Sequence, residues 1–224
     1  MKQDPDRYQF QIENAANQFL ASFGPKLTQN PNGHIVTDIA GAASVTGLML
    51  LRSVCPDLDR FPPGSVVLGD FLDRLYPEQQ QMQLFFKNLA RQMGLNESDG
   101  WNVEPPEALS PLMETSELMR KLEPAFRQAC QDCDLPLDYW PHAAGVTTIK
   151  LVAAGEKTKL LDETLGKRLA TFYMIAGSGT APNSADDHPL TRESTPPRPL
   201  GYRIIWAIVV IVIVFLFFRV VNGK

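Results

Sequence analysis

The chain is poor in cysteine: Cys55, Cys130 and Cys133 are its three thiols in 224 residues. That number is too small and too odd for the disulfide framework of a secreted domain. The opening MKQDPDRYQF contains no apolar stretch, so a secretory leader is not expected. Both features place the folded part, as an expectation, in a reducing cytosolic space. Basic runs are absent too. Residues 1–176 hold 16 Lys and Arg against 22 Asp and Glu, a net of about −6. Residues 177–224 hold five against three, a net of about +2. Nucleic-acid binding needs clustered cations to neutralise phosphate, so that partner class is excluded. No convincing alternating strand pattern or Asn-Gly hairpin signal appears, and no repeat of fixed period is visible.

What the chain does have is one long apolar run. Residues 204–218 read IIWAIVVIVIVFLFF, and thirteen of the fifteen are Ile, Val, Leu or Phe. With Val220 and Val221 the run reaches about 18 residues, roughly 27 Å as a helix, enough for a thin bilayer. Insertion is favoured by roughly 4 to 8 kcal/mol. Arg203 and Arg219 bracket the run, where their long side chains can reach opposite headgroup layers. Tyr202 and Trp206 suit the near interface, and Ile204 and Phe218 mark the apolar limits. A buried strand is the alternative for a Val- and Ile-rich run, but no strand elsewhere is predicted to pair with it. Arg192, Arg198 and Arg203 precede the run, while only 219–224 follow it, so the positive-inside bias puts the N-terminal part in the cytosol. The expectation is a tail-anchored, single-pass protein, in the plasma (inner) membrane if bacterial. The run contains one small residue, Ala207, so it lacks the small-xxx-small pattern that brings two spans into close contact.

Residues 177–200, GSGTAPNSADDHPLTRESTPPRPL, are rich in Gly, Ser, Thr and Pro without apolar periodicity. Such composition predicts a flexible tether with a stiffer stretch at Pro196-Pro197-Arg198-Pro199. The expected organisation is therefore a helical domain over 1–176, a linker over 177–200, a transmembrane anchor over 201–221 and a short far-side tail over 222–224.

Within 1–176 the apolar residues recur at helical spacing. Tyr8, Ile12, Ala15, Ala16, Phe19, Leu20 and Phe23 share one face of a first helix, with Asp4 as cap, Pro5 in the first turn and Gly24-Pro25 as stop. Residues 33–54 are apolar on most sides and rich in Gly, Ala and Ser, which predicts a central helix closely approached by its neighbours. A second membrane span is the sharper alternative there, but Thr37, Asp38, Thr46 and two glycines interrupt it. A short helix is expected over 65–75, with Pro77 restarting the chain into the stripe Met82, Phe85, Phe86, Leu89 and Met93. Another helix is expected over 116–133, where Pro124 should kink it or mark its start. The last stripe, over 143–176, divides near Gly155. The fold class is all-α: a soluble bundle of about six or seven helices, a Pro/Ser-rich tether and one C-terminal transmembrane helix.

Chemical signals are sparse. Cys130-Gln131-Asp132-Cys133 is a C-x-x-C, which can serve as a redox pair or half a zinc site completed by His142 and Cys55. Both sulfurs fall on the apolar stripe of their helix, where cysteine acts as a small hydrophobe, and no second C-x-x-C exists. The other histidines, His34 and His188, belong to no H-E-x-x-H or E-x-x-H, and no phosphate loop, dinucleotide fingerprint or nucleophile elbow is present. No cofactor is expected. Two function classes remain: a binding or scaffolding module kept at the lipid bilayer to meet a protein or peptide partner, and, as the alternative, a membrane-tethered enzyme or thiol-redox or metal protein using Cys130 and Cys133.

Overall fold

The computed structural model describes residues 8–23, 34–55, 57–58, 61–95, 101, 104–106 and 109–182. Contacts divide the chain into two units, Met1–Ala185 and Asp186–Lys224, and the described helices all belong to the first. Among the described residues the fold is all-helical. Its elements are α1 (Gln9–Ala21), α2 (Ile35–Val54), α3 (Leu72–Gln92), α4 (Thr115–Asp132), α5 (Trp140–Lys157) and α6 (Glu163–Ser178), with a 3-10 turn at Leu137–Tyr139.

Helix α2 lies at the centre because little of its surface is polar. Seventeen of its twenty residues are buried, and it packs against α3, α4, α5 and α6. It is also the one described helix long and apolar enough to cross a membrane by length and composition, yet here neighbouring helices cover it. Two of its buried hydroxyls are satisfied within the helix: Ser44 Oγ donates to the Ala40 carbonyl at 2.7 Å and Thr46 Oγ1 to the Ala42 carbonyl at 3.0 Å. Glycine brings α6 against it. A Cβ on Gly47 would overlap the Met174 carbonyl oxygen, and one on Gly177 would overlap the Ser44 carbonyl oxygen. The two backbones therefore touch directly, which no larger residue allows.

The outer helices follow from their stripes. On α1, Ile12, Ala15, Ala16 and Phe19 point inward, and Phe19 meets Phe126 of α4 edge-on at 4.9 Å. Burying a phenylalanine completely contributes about 1.5 to 3 kcal/mol. Thr147 Oγ1 of α5 donates to the Ala16 carbonyl at 3.1 Å, and Lys150 reaches Glu13 at 2.5 Å, tying α5 to α1. Asp162 caps α6 by accepting from Thr164 N and Leu165 N at 2.9 and 3.3 Å.

Four local expectations change. The short helix over 65–75 is not formed. Residues 64–67 are instead paired with 179–181: Gly64 N donates to the Ala181 carbonyl, Ala181 N to the Ser65 carbonyl and Val67 N to the Gly179 carbonyl, each at 2.9 Å. Val66 and Thr180 make the antiparallel bridge of this clasp. Helix α3 starts at Leu72 and runs through Pro77. The proline removes the donor to the Asp73 carbonyl, but Asp73 is exposed, so water can take that place. Pro124 likewise lies inside α4, which begins at Thr115, and the carbonyl it deprives belongs to exposed Arg120. Finally, α5 continues past Gly155 to Lys157. The break comes at Lys159, whose φ of 56° cannot continue a helix. Gly155 serves close packing instead: a Cβ there would stand 3.2 Å from Ile35. The cap expected at Asp4 and the stop at Gly24-Pro25 lie outside the described residues.

At the C-terminal end, Gly177 and Ser178 form the last turn of α6, and Ala181 and Pro182 are buried. Composition groups these residues with the linker. The clasp and the α2 contact hold them against the helices.

Candidate functional site

The C-x-x-C spans the end of α4. Cys130 lies on its inward face, fully buried, and Cys133 is the half-buried C-cap. Gln18 Nε2 of α1 approaches Cys133 Sγ at 3.5 Å. Burial, then the neighbouring Cys133, pushes the Cys130 thiol up to about 12. Burial also raises Cys133, helped by Asp132 and Asp134 on either side. A redox or metal-binding cysteine requires a readily formed thiolate, normally stabilised by a helix N-terminus or a cation. This pair has the opposite surroundings: a helix C-terminus, carboxylates and apolar packing. Cys55, buried at the C-cap of α2, is a separate position.

His142 sits in the first turn of α5, edge-on to Phe85 at 5.0 Å and tilted against Tyr139 at 6.0 Å. Its Nδ1 is buried without a hydrogen-bond partner, and burial lowers its pKa. Among the described residues, no group of three or more His, Cys, Asp or Glu side chains is arranged to hold a metal ion.

The packing singles out a residue that sequence spacing marked only as a polar interruption. Asp38 lies in the first turn of α2, 9% exposed, and its Oδ1 has no hydrogen-bond partner. Beside it, His34 Nδ1 and Thr37 Oγ1 are 3.1 Å apart, and Leu112 N donates to the same Thr37 oxygen at 3.1 Å. Burial raises the Asp38 carboxyl to about 6, against the opposing pull of His34. The positive end of the helix dipole also favours the anion, so desolvation outweighs two stabilising influences. The result is a carboxyl that exchanges its proton near neutral pH within the core.

Two further charged groups are structural. Lys167 of α6 is completely buried, bonded to Glu163 one turn earlier, with its Nζ 5.7 Å from the centre of the Trp101 ring. Glu123 of α4 takes Arg52 of α2 and Arg127 of its own helix, both at 2.8 Å on one carboxylate oxygen.

Tyr202, Arg203, Ile204, Trp206, Phe218 and Arg219, the expected anchor residues, lie outside the described residues. No protein-family model, curated protein or solved structure matches the chain.

Proposed function

We propose that the helical unit is a binding or scaffolding module held at a membrane by one transmembrane helix over 201–221, with the unit on the cytosolic side. The observation that carries this is the composition of residues 204–218: fifteen residues without a charged side chain, bracketed by Arg203 and Arg219. Two features support the division of labour. Contacts group Met1–Ala185 as a unit with its own core, and eighteen residues lie between it and the apolar run. The partners are the lipid bilayer and a protein or peptide.

The thiol-redox or metal alternative requires a nucleophilic Cys130 or Cys133, and both pKa values move away from that. The test compares the full chain with one ending at Ala185 in native membranes. Crosslinks to the same protein species, formed by the full chain and lost on truncation, support a module whose work depends on tethering. Stoichiometric zinc, or a disulfide cycling between Cys130 and Cys133, would instead support the alternative.

A further inference from the structure

The clasp between 64–67 and 179–181 fixes where the chain leaves the end of α6 and what surface surrounds that point. Val67 N is bonded to the Gly179 carbonyl, so the next side chain, Leu68, stands beside the end of α6. Leu68 is 66% exposed. Leu72 and Tyr76 follow at four-residue spacing, 39% and 40% exposed, on one face of α3. That face continues one turn further to Gln79, whose Nε2 donates to Ser178 Oγ at 2.6 Å. One turn before Ser178 on α6 is Ile175, also partly exposed. Two independent contacts, the clasp and the Gln79–Ser178 bond, thus join these apolar side chains into one patch at the C-terminal end of α6.

We infer that the patch of Leu68, Leu72, Tyr76 and Ile175 is the face that the helical unit lays on the lipid bilayer. The inference rests on the membrane anchoring proposed above. Its occupant follows from covalent geometry. Pro182 is the last residue described, and Ile204 begins the apolar run, with twenty-one residues between them. That length spans at most about 75 Å, even fully extended. The face around Pro182 is the part of the unit closest along the chain to the apolar run. Tethering also raises the local concentration of the lipid surface to about the millimolar range or above, so a few apolar side chains suffice. A free second copy has no such advantage. Leucine and tyrosine suit the headgroup boundary, where rings and aliphatic chains are half wet. The nearby charges are Asp70 and Asp73, both exposed, and Arg74, whose guanidinium donates to the Val54 carbonyl at 2.8 Å; with carboxylates in excess, the face suits a zwitterionic surface better than an anionic one.

The test uses the full chain reconstituted into phosphatidylcholine vesicles, on a Cys133→Ser background, since Cys55 and Cys130 are buried. An environment-sensitive fluorophore is attached at Leu68→Cys, at Leu72→Cys or, as control, at Leu160→Cys. Leu160 is 67% exposed and precedes α6, about 24 Å of helix from Ser178. Tryptophan emission of each labelled chain confirms the fold. Quenching by nitroxide lipids at least twofold stronger at 68 and 72 than at 160, and unchanged in 0.5 M salt, is the expected result. A carbonate wash separates the two proposals. If the chain resists the wash but 68 and 72 are quenched no more than 160, the docking face is wrong and the anchor stands. If carbonate releases the chain, the anchor is wrong and the docking face falls with it. Shielding at 68 and 72 that grows with protein density but not with nitroxide lipid would assign the patch to a second copy and overturn the inference.

Discussion

Replacing Asp38 with asparagine should stabilise the helical unit at neutral pH, and the gain should depend on pH in a defined way. The carboxyl rises from an ordinary 3.8 to about 6 in the folded chain. Below about pH 3.8 both folded and unfolded chains hold the proton. Between 3.8 and 6 the folded chain alone keeps it, so stability falls as pH rises through that window. Above 6 the folded state carries an ionised, 9% exposed carboxylate with one oxygen unbonded. A shift of about two units corresponds to on the order of 3 kcal/mol, at about 1.4 kcal/mol per unit. His142 acts in the opposite direction. Burial holds its folded pKa below the ordinary 6.5, so the unfolded chain takes that proton first and stability falls as pH drops below 6.5. The wild-type pH profile is therefore a sum of opposing slopes. The difference between Asp38→Asn and wild type removes the His142 contribution, because both chains retain it. Urea unfolding of residues 1–185, followed by fluorescence of buried Trp101 and Trp140, measures this difference. The variant should match wild type near pH 4 within about 0.5 kcal/mol and exceed it by about 2 to 3 kcal/mol at pH 7.5. A gain that is absent, or the same at both pH values, would show that the Asp38 carboxylate is solvated or bonded in the folded chain.

At pH 8 a thiol with a pKa near 12 is ionised in about one molecule in ten thousand, so iodoacetamide should modify Cys133 before Cys130, and Cys130 only on unfolding. Mass mapping of the alkylated peptides reads this, and rapid native labelling of Cys130 would contradict it. Gly47→Ala forces a methyl into the Met174 carbonyl and should cost about 2 to 3 kcal/mol or more by denaturant unfolding. Gly179→Ala, where a Cβ meets nothing closer than 3.7 Å, should cost far less. Lys167→Met removes the ammonium bonded to the buried Glu163 carboxylate and should cost about 3 to 5 kcal/mol. Adding Glu163→Leu should recover part of that loss, and a double variant no better than the single would contradict the pairing.

The central position of α2 was legible in the sequence because a helix apolar on all sides has nowhere to go but the core or a membrane. The stripes of α1 and α4 were legible for the same reason of spacing. The limits of α3 and α5 were not legible, because packing overrides local punctuation there. Pro77 and Gly155 look like breaks, but an exposed carbonyl tolerates the first and close packing uses the second. The clasp could not be read at all. It joins residues more than a hundred positions apart, and Gly177–Pro182 have a linker's composition while serving as packed chain. The inward placement of Cys130 followed from its position on a stripe. Asp38 was visible as a polar interruption, but its unbonded oxygen depends on what packs over it, and a single sequence does not contain that.

The most direct measurement of the membrane claim places a cysteine at each end of the full chain and asks which side of a sealed vesicle each faces. Met1→Cys and Lys224→Cys are introduced separately with Cys133→Ser, into inside-out and right-side-out vesicles washed with carbonate. A membrane-impermeant maleimide then reports accessibility. The expected result is retention of the chain in the washed vesicles, with position 1 labelled only from the cytosolic side and position 224 only from the opposite side. Release of the chain by carbonate, or labelling of both positions from the same side, would contradict a single span over 201–221.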